Sequence, residues 1–147
     1  MKTEKIEEIA KKLLRAMQPT YKDYVGYKGE IRAKNKEEAA LGFMDSIWSS
    51  PVAMVLYAGP TLGLKYPIGG PRFRVYRKKG KESIYRVCLD LEYEENYVPL
   101  LVFTVYWDIE VVRRGRRKRR RYYCQLTDYG VAVYKWGPEN IRPILKL

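Results

Sequence analysis

The 147-residue chain contains no histidine and only two cysteines, Cys88 and Cys124. Without histidine it cannot build a Ser-His-Asp or Cys-His catalytic system, an imidazole general base or a histidine-containing zinc site. Two cysteines are too few for a disulfide framework, an iron–sulfur cluster or a structural zinc. We therefore expect no metal, no cofactor and a reducing compartment.

Long apolar runs are also missing. The most apolar stretch, residues 51–64, is interrupted by Gly59-Pro60 and is too short to span a bilayer. The first residues are charged and lack the apolar core of a signal peptide. We expect no membrane span.

Only five residues are Asn or Gln, while Lys, Arg and Glu are abundant, as in proteins of hyperthermophiles.

Positive charge, in contrast, is in large excess. The chain has 29 Lys and Arg residues against 17 Asp and Glu, a net charge of +12. This balance favours a polyanionic partner, nucleic acid before an anionic membrane surface. The excess is local, because residues 1–50 carry +2, residues 51–112 carry +1 and residues 113–147 carry +9.

Most of this charge lies in one run, residues 113–121, which has eight cations in nine positions. Such a run repels itself, and guanidinium groups can hold phosphate oxygens bidentately. We predict phosphate contact here; a solvated charge run or a localisation signal is the alternative. The two tyrosines that follow could stack on bases, or could belong to the core. The candidate DNA-binding residues are Arg113, Arg114, Arg116, Arg117, Lys118, Arg119, Arg120, Arg121, Tyr122 and Tyr123.

Helical spacing dominates the first third of the chain. An apolar stripe from Ile6 to Met17 predicts a helix that stops at Pro19, followed by a Tyr-rich loop to residue 34. This segment, residues 1–34, is either an assembly arm or a packing helix of the same domain. Asn35 then predicts a helix cap, with a second helix running to Trp48. Residues 35–147 form the predicted nucleic-acid-binding domain.

The spacing changes to a period of two after residue 72. Residues 73–77, 84–94 and 98–112 alternate or run apolar as strands do, with a hairpin turn at Glu95-Asn96. We interpret residues 122–134 as a helix and residues 141–147 as a last short strand. The sequence thus predicts an α/β fold, a mixed central sheet flanked by helices.

Three short motifs in this order resemble the PD-(D/E)xK nucleases, in the RecB-like branch that includes a CRISPR-associated exonuclease. They are Asp90 within VCLDL, the strand PLLVFTV at residues 99–105, and QLTDY at residues 125–129. The resemblance implies a restriction-endonuclease-like core (α-β-β-β-α-β) with an extra N-terminal helix. It also implies that Asp90 was a metal-binding carboxylate and that Gln125 and Tyr129 share one face of a helix.

The departures from that family matter as much as the matches. Phe103 and Val105 occupy the positions of the catalytic glutamate and lysine, so the resemblance implies a nuclease fold without catalysis. An inactivated, basic version of this fold resembles the nucleocapsid proteins of filamentous viruses of hyperthermophilic archaea. It implies a DNA-binding structural protein, not an enzyme, located in the virion and, during assembly, in the host cytoplasm. Its partners would be double-stranded DNA without sequence preference, and further copies of itself or other coat proteins.

Two alternatives stay open at this point. The first is a metal-dependent nuclease whose site has migrated to the carboxylates of Asp90, Glu92, Asp108 and Glu110. Asp108 and Glu110 are two residues apart on one predicted strand, so their side chains share a face. The second is a host regulator or RNA-binding module that uses the C-terminal part of the chain.

Overall fold

Three helices and seven strands make up the fold. The structure is a computed structural model and describes residues 2–47, 51–66, 73–114, 120–137 and 142–147, without the side chains of residues 18–24 and 114. The elements in that part of the chain are α1 (Thr3–Tyr24), β1 (Lys28–Arg32), α2 (Lys36–Ser46), α3 (Pro51–Thr61), β2 (Leu64–Lys65), β3 (Phe73–Arg77), β4 (Ile84–Glu95), β5 (Val98–Arg114), β6 (Arg121–Lys135) and β7 (Leu145–Lys146).

All seven strands belong to one sheet, in the order β1-β6-β5-β4-β2, with β3 also pairing with β4 and β7 with β6. Every pairing between described strands is antiparallel. The prediction of an α/β fold with a sheet flanked by helices is confirmed, but the sheet is not mixed. The reason is that β3, β4, β5 and β6 follow one another through short connections, which can join only antiparallel neighbours.

One face of the sheet, the helix-covered face, carries the hydrophobic core. Alternate residues of the central strands are buried there, among them Leu89, Phe103, Val105 and Trp107. The predicted stripe of α1 packs into the same core, and its members are Ile6, Ile9, Ala10, Leu13 and Met17. The apolar side of this helix is therefore covered within the domain.

The opposite face is the helix-free face, because no helix packs on it among the described residues. It carries a small cluster of Cys88, Tyr106 and Ala132 together with buried polar groups. Tyr106 lies across Gly130 of the neighbouring strand. A Cβ atom at residue 130 would overlap the Tyr106 hydroxyl and lie 2.6 Å from the Leu147 backbone oxygen, so this strand position requires glycine.

The helices differ from the prediction in their ends. The α2 cap is confirmed, since Asn35 Oδ1 accepts a 2.8 Å hydrogen bond from the Glu38 backbone N–H. Helix α1, however, continues through Pro19 to Tyr24, because a proline costs a helix one hydrogen bond and need not end it. Helix α3 was not predicted.

No single described helix is long and apolar enough to cross a membrane, although α2 and α3 reach that length and composition as a bent pair. Trp48, the predicted end of the second helix, lies outside the described residues.

The largest correction concerns residues 122–134, which form strand β6 and not a helix. Tyr122, Cys124 and Leu126 alternate as strand residues do, but a β-bulge opposite Asp108 and Ile109 inserts Thr127 without a partner. After this extra residue the core side chains resume at Tyr129. The bulge thus puts a step of three residues, from Leu126 to Tyr129, into a strand that otherwise alternates with a period of two.

The predicted loop between residues 19 and 34 is also wrong. After α1 the chain forms β1, which pairs with residues 121–125 of β6. The five residues of β1, KGEIR, show no strong strand pattern, and their partner lies about ninety positions later in the chain.

At the other end of the sheet, Asn96 and Tyr97 have φ values of +53° and +63°, as a two-residue hairpin turn requires.

Candidate nucleic-acid interface

The arginine-rich run connects the two longest strands of the sheet. Strand β5 ends at Arg114 and β6 begins at Arg121, and the last pairs of their ladder are Arg113 with Tyr122 and Arg114 with Arg121. The predicted contacts Arg116, Arg117, Lys118 and Arg119 lie outside the described residues. The run therefore joins two strands that pair with each other up to its first and last residues. We call the part of the sheet where β5 ends and β6 begins, at residues 113, 114 and 120–122, the basic end.

Arginines stand side by side at the basic end. Arg121 pairs directly with Arg32 of β1 on one side and with Arg114 of β5 on the other. We call these three residues the arginine row. Among the described side chains, Glu30 contacts the row, with its carboxylate 3.4 Å from Arg121 Nε. Like charges on directly opposed strand residues destabilise a sheet, so the row costs stability.

Two adjoining cavities open on the helix-covered side of the basic end, with volumes of about 400 and 380 Å³. They share Lys34, Arg113 and Tyr122, and we treat them as one basic cavity. Its full lining is Lys34, Asn35, Lys36, Glu37, Tyr85, Arg113, Arg120 and Tyr122. The lining holds four cations against one carboxylate.

The basic cavity is assembled from three distant parts of the chain. The start of α2 supplies Lys34 to Glu37, β4 supplies Tyr85, and the ends of β5 and β6 supply the rest. Two contacts tie these parts together: the Ala33 N–H donates to the Arg120 backbone oxygen at 3.1 Å, and the Arg120 guanidinium donates to the Lys34 backbone oxygen at 3.4 Å.

The two tyrosines after the run point to opposite faces of the sheet. Tyr122 is 5% exposed and lies at the margin of the core, where it lines the basic cavity. Tyr123 is 40% exposed on the helix-free face. Tyr122 thus belongs to the hydrophobic core cluster, whereas Tyr123 lies partly exposed at the surface.

The positions of the nuclease-like motif do not converge. Asp90 pairs with Thr104 of β5, and its carboxylate accepts hydrogen bonds from Arg74 Nε at 2.6 Å and from Thr104 Oγ1 at 2.7 Å. Phe103 and Val105 lie on the helix-covered face, opposite to Asp90, because neighbouring residues of a strand alternate between faces.

Gln125 and Tyr129 are likewise not one helical turn apart. Both lie on β6, where Gln125 pairs with Glu110 on the helix-free face. Tyr129 pairs with Trp107 on the helix-covered face, after the bulge. The register of a strand, which the residues alone did not reveal, decides these placements.

Asp108 is the most deeply buried carboxylate on the helix-free face, at 2% exposure. It accepts two hydrogen bonds from Arg86, of 2.7 and 3.0 Å, and one from Lys78 at 3.2 Å. Burial alone would raise the pKa of Asp108, but the hydrogen bonds and charge of Arg86, with those of Lys78, hold this pKa below its ordinary value. Arg86 also stacks on Tyr106, 4.0 Å from the ring centre.

The four carboxylates of the migrated-site hypothesis are spread along the sheet. Asp90 and Asp108 have separate arginine partners, four residues apart along the β4–β5 ladder. Within the described ranges, no group of three or more Cys, Asp or Glu residues is placed to hold a metal ion.

Both cysteines are buried and carry free thiols. Cys88 lies on the helix-free face, and Cys124 lies on the helix-covered face, 3.8 Å from the Ala39 backbone oxygen. Burial raises the pKa of each thiol to about 11, so neither is a reactive thiolate at neutral pH.

Sequence reasoning missed Arg32, Lys34, Lys36 and Tyr85 as members of the interface. The local signal of Arg32, Lys34 and Lys36 is modest positive charge around the start of α2, and the pairing of β1 with β6 brings them to the run. Tyr85 carries no such signal and is placed by the pairing of β4 with β5. Comparison of the chain with protein-family models, with curated proteins and with solved structures finds no match.

Proposed function

We propose that this protein binds double-stranded DNA through its basic end, without sequence preference, as a structural protein that coats DNA. The arginine row is the observation that carries the proposal. Three adjacent strands place an arginine at the same level of the sheet, and Glu30 contacts Arg121 among the described side chains. An unbalanced row of this kind is stabilised by an external polyanion.

Phosphate groups match the chemistry of the row. Neighbouring strands lie about 4.8 Å apart, so three arginines extend over roughly 10 Å of sheet edge. Guanidinium groups bind phosphate oxygens bidentately. The sequence between Arg114 and Arg120 contains four further cations, Arg116, Arg117, Lys118 and Arg119, which lie outside the described residues. Contacts of this type supply affinity that does not depend on base sequence.

The salt dependence of binding tests the proposal. Fluorescence anisotropy with two unrelated 30-base-pair duplexes, titrated at increasing NaCl, should give similar affinities for both. If most of the eight cations of residues 113–121 meet phosphates, log K against log salt should fall with a slope of about −6 to −7. A strong preference for one duplex, or an affinity insensitive to salt, would rule the proposal out.

A matched pair of variants locates the contact. The double substitution Arg32→Gln with Arg121→Gln removes two charges from the arginine row and should make the slope shallower by about 2. The control, Lys11→Gln with Lys12→Gln, removes the same charge from the exposed side of α1, where both lysines pair with glutamates. The control should leave the slope unchanged, and equal effects of the two variants would contradict a local interface.

Three further assays address the coating role and its alternatives. Electron microscopy of the protein mixed with linear duplex should show regular filaments, because a coat protein must associate along its DNA.

Plasmid incubated with the protein and Mg²⁺ or Mn²⁺ should stay intact; cleavage lost in Asp90→Ala would favour the nuclease hypothesis. Single-stranded RNA that outcompetes duplex DNA would favour the RNA-binding module.

A further inference from the structure

We infer that the basic cavity is a discrete binding site for one phosphate group of the nucleic acid. This inference rests on the proposed function, since the bound nucleic acid supplies the phosphate. It goes further by naming a recessed site on the helix-covered side, separate from the arginine row. Lys34, Lys36, Arg113 and Arg120 provide its charge.

Two tyrosines in the cavity wall add hydrogen-bond donors to this charge. Tyr85 and Tyr122 are 8% and 5% exposed, and both line the cavity wall. Neither hydroxyl hydrogen-bonds another described residue. Each hydroxyl can donate one hydrogen bond, and a phosphate oxygen in the cavity would accept it.

The start of α2 adds donors to the same wall. Asn35 satisfies the backbone N–H groups of Glu38 and Ala39 through its side-chain and backbone oxygens. The N–H groups of Lys36 and Glu37, in the first turn, have no partner within the helix. Together with the helix dipole, they favour an anion at this end of α2.

The volume of the cavity limits the size of the ligand that it can hold. A volume of about 400 Å³ holds a phosphate group with one attached sugar, but not a length of duplex. The opposing charge of Glu37 is outnumbered by the four cations of the lining. An internal phosphodiester and a terminal phosphomonoester share the chemistry that this site recognises.

The tyrosine hydroxyl provides the sharpest test. Tyr122→Phe removes one oxygen and keeps the ring, so the protein should fold as before. Thymidine 5′-monophosphate, titrated into the full chain and followed by calorimetry, should bind Tyr122→Phe about tenfold more weakly than the parent. Arg113→Gln should weaken binding at least as much.

Tyr123→Phe is the matched control, because Tyr123 is the next residue and lies on the other face. It should bind the monophosphate like the parent. Equal binding by the parent, Tyr122→Phe and Tyr123→Phe, or no binding of the monophosphate by the parent, would overturn the inference.

Duplexes with different ends identify the source of the phosphate. A duplex with 5′-phosphates that binds more tightly than the same duplex with 5′-hydroxyls, with the difference abolished by Tyr122→Phe, indicates a terminal group. Equal binding of both duplexes and of a closed circle, all weakened by Tyr122→Phe, indicates the backbone. If the parent binds duplex with the expected salt slope but no monophosphate, only the cavity inference fails; monophosphate binding without duplex binding overturns the proposed function alone.

Discussion

Arginines on the helix-free face and arginines at the basic end stand in opposite electrostatic surroundings. Arg74 and Arg86 each form paired hydrogen bonds with a carboxylate on the neighbouring strand, Asp90 and Asp108 respectively. In the arginine row, Arg121 instead lies between two arginines and meets one glutamate at 3.4 Å. The same residue type therefore stabilises the sheet in one region and opposes it in the other.

This difference shows where the net charge of the chain acts. On the helix-free face, Asp90 and Asp108 neutralise the charges of Arg74 and Arg86, so these two arginines add little to the attraction of a polyanion. Where α2, β1 and the β5–β6 hairpin meet, the cations of Lys34, Lys36, Arg113 and Arg120 line one cavity with a single carboxylate, that of Glu37. The total of +12 says little until the structure separates paired from unpaired charges.

The largest expected effect comes from breaking an internal pair. Asp108→Asn leaves Arg86 buried without its counter-charge, which should lower the free energy of unfolding by about 3–5 kcal/mol. Urea unfolding followed by circular dichroism measures the loss. The control Glu92→Gln, on the same face, changes a carboxylate for which the described residues show no ion pair and should cost under about 1 kcal/mol. Equal losses would mean that the Asp108 pair is not special.

Acid should remove the same stabilisation by protonation. The pKa of Asp108 is lower in the folded chain than its ordinary value of 3.8, so its contribution is complete above that value and is lost as the pH falls through the folded pKa. The stability difference between the parent and Asp108→Asn should therefore be constant from pH 7 to about 5 and shrink below pH 4. A difference that stays constant down to pH 2 would contradict the direction of the shift.

The smallest expected change in stability has the opposite sign. Arg32→Glu places a carboxylate opposite Arg121, which should raise the free energy of unfolding by about 0.5–1 kcal/mol. The same substitution removes a phosphate contact, so DNA binding should weaken and its salt slope should become shallower by about 1. Thermal unfolding and anisotropy on one preparation test both. A variant that loses stability would show that the row carries no internal repulsion.

Much of the fold could be predicted because local patterns set it. The strands at residues 73–77, 84–94 and 98–112, the stripe of α1 and the Asn35 cap all depend on residues close together in sequence. Strand β6 escaped prediction because its bulge breaks the alternation of side chains, and β1 because its partner is distant.

The interface could be predicted only in part, for the same reason. The run of residues 113–121 is visible as composition. The cavity beside it depends on contacts between residues about eighty positions apart, such as Lys34 and Arg120. The faces of Asp90, Phe103 and Val105 depend on strand register, which alternation alone does not assign to one side or the other.

The two buried thiols can serve as probes of local opening in two different parts of the molecule. Cys88 becomes accessible to an alkylating reagent when the helix-free face opens, whereas Cys124 requires α2 to lift from the sheet. Since the thiols react only after such opening, their labelling rates report two separate motions of the native chain. DNA bound at the basic end should slow the labelling of Cys124 more than that of Cys88. The reason is that α2 borders the basic cavity, whereas the cluster of Cys88, Tyr106 and Ala132 does not.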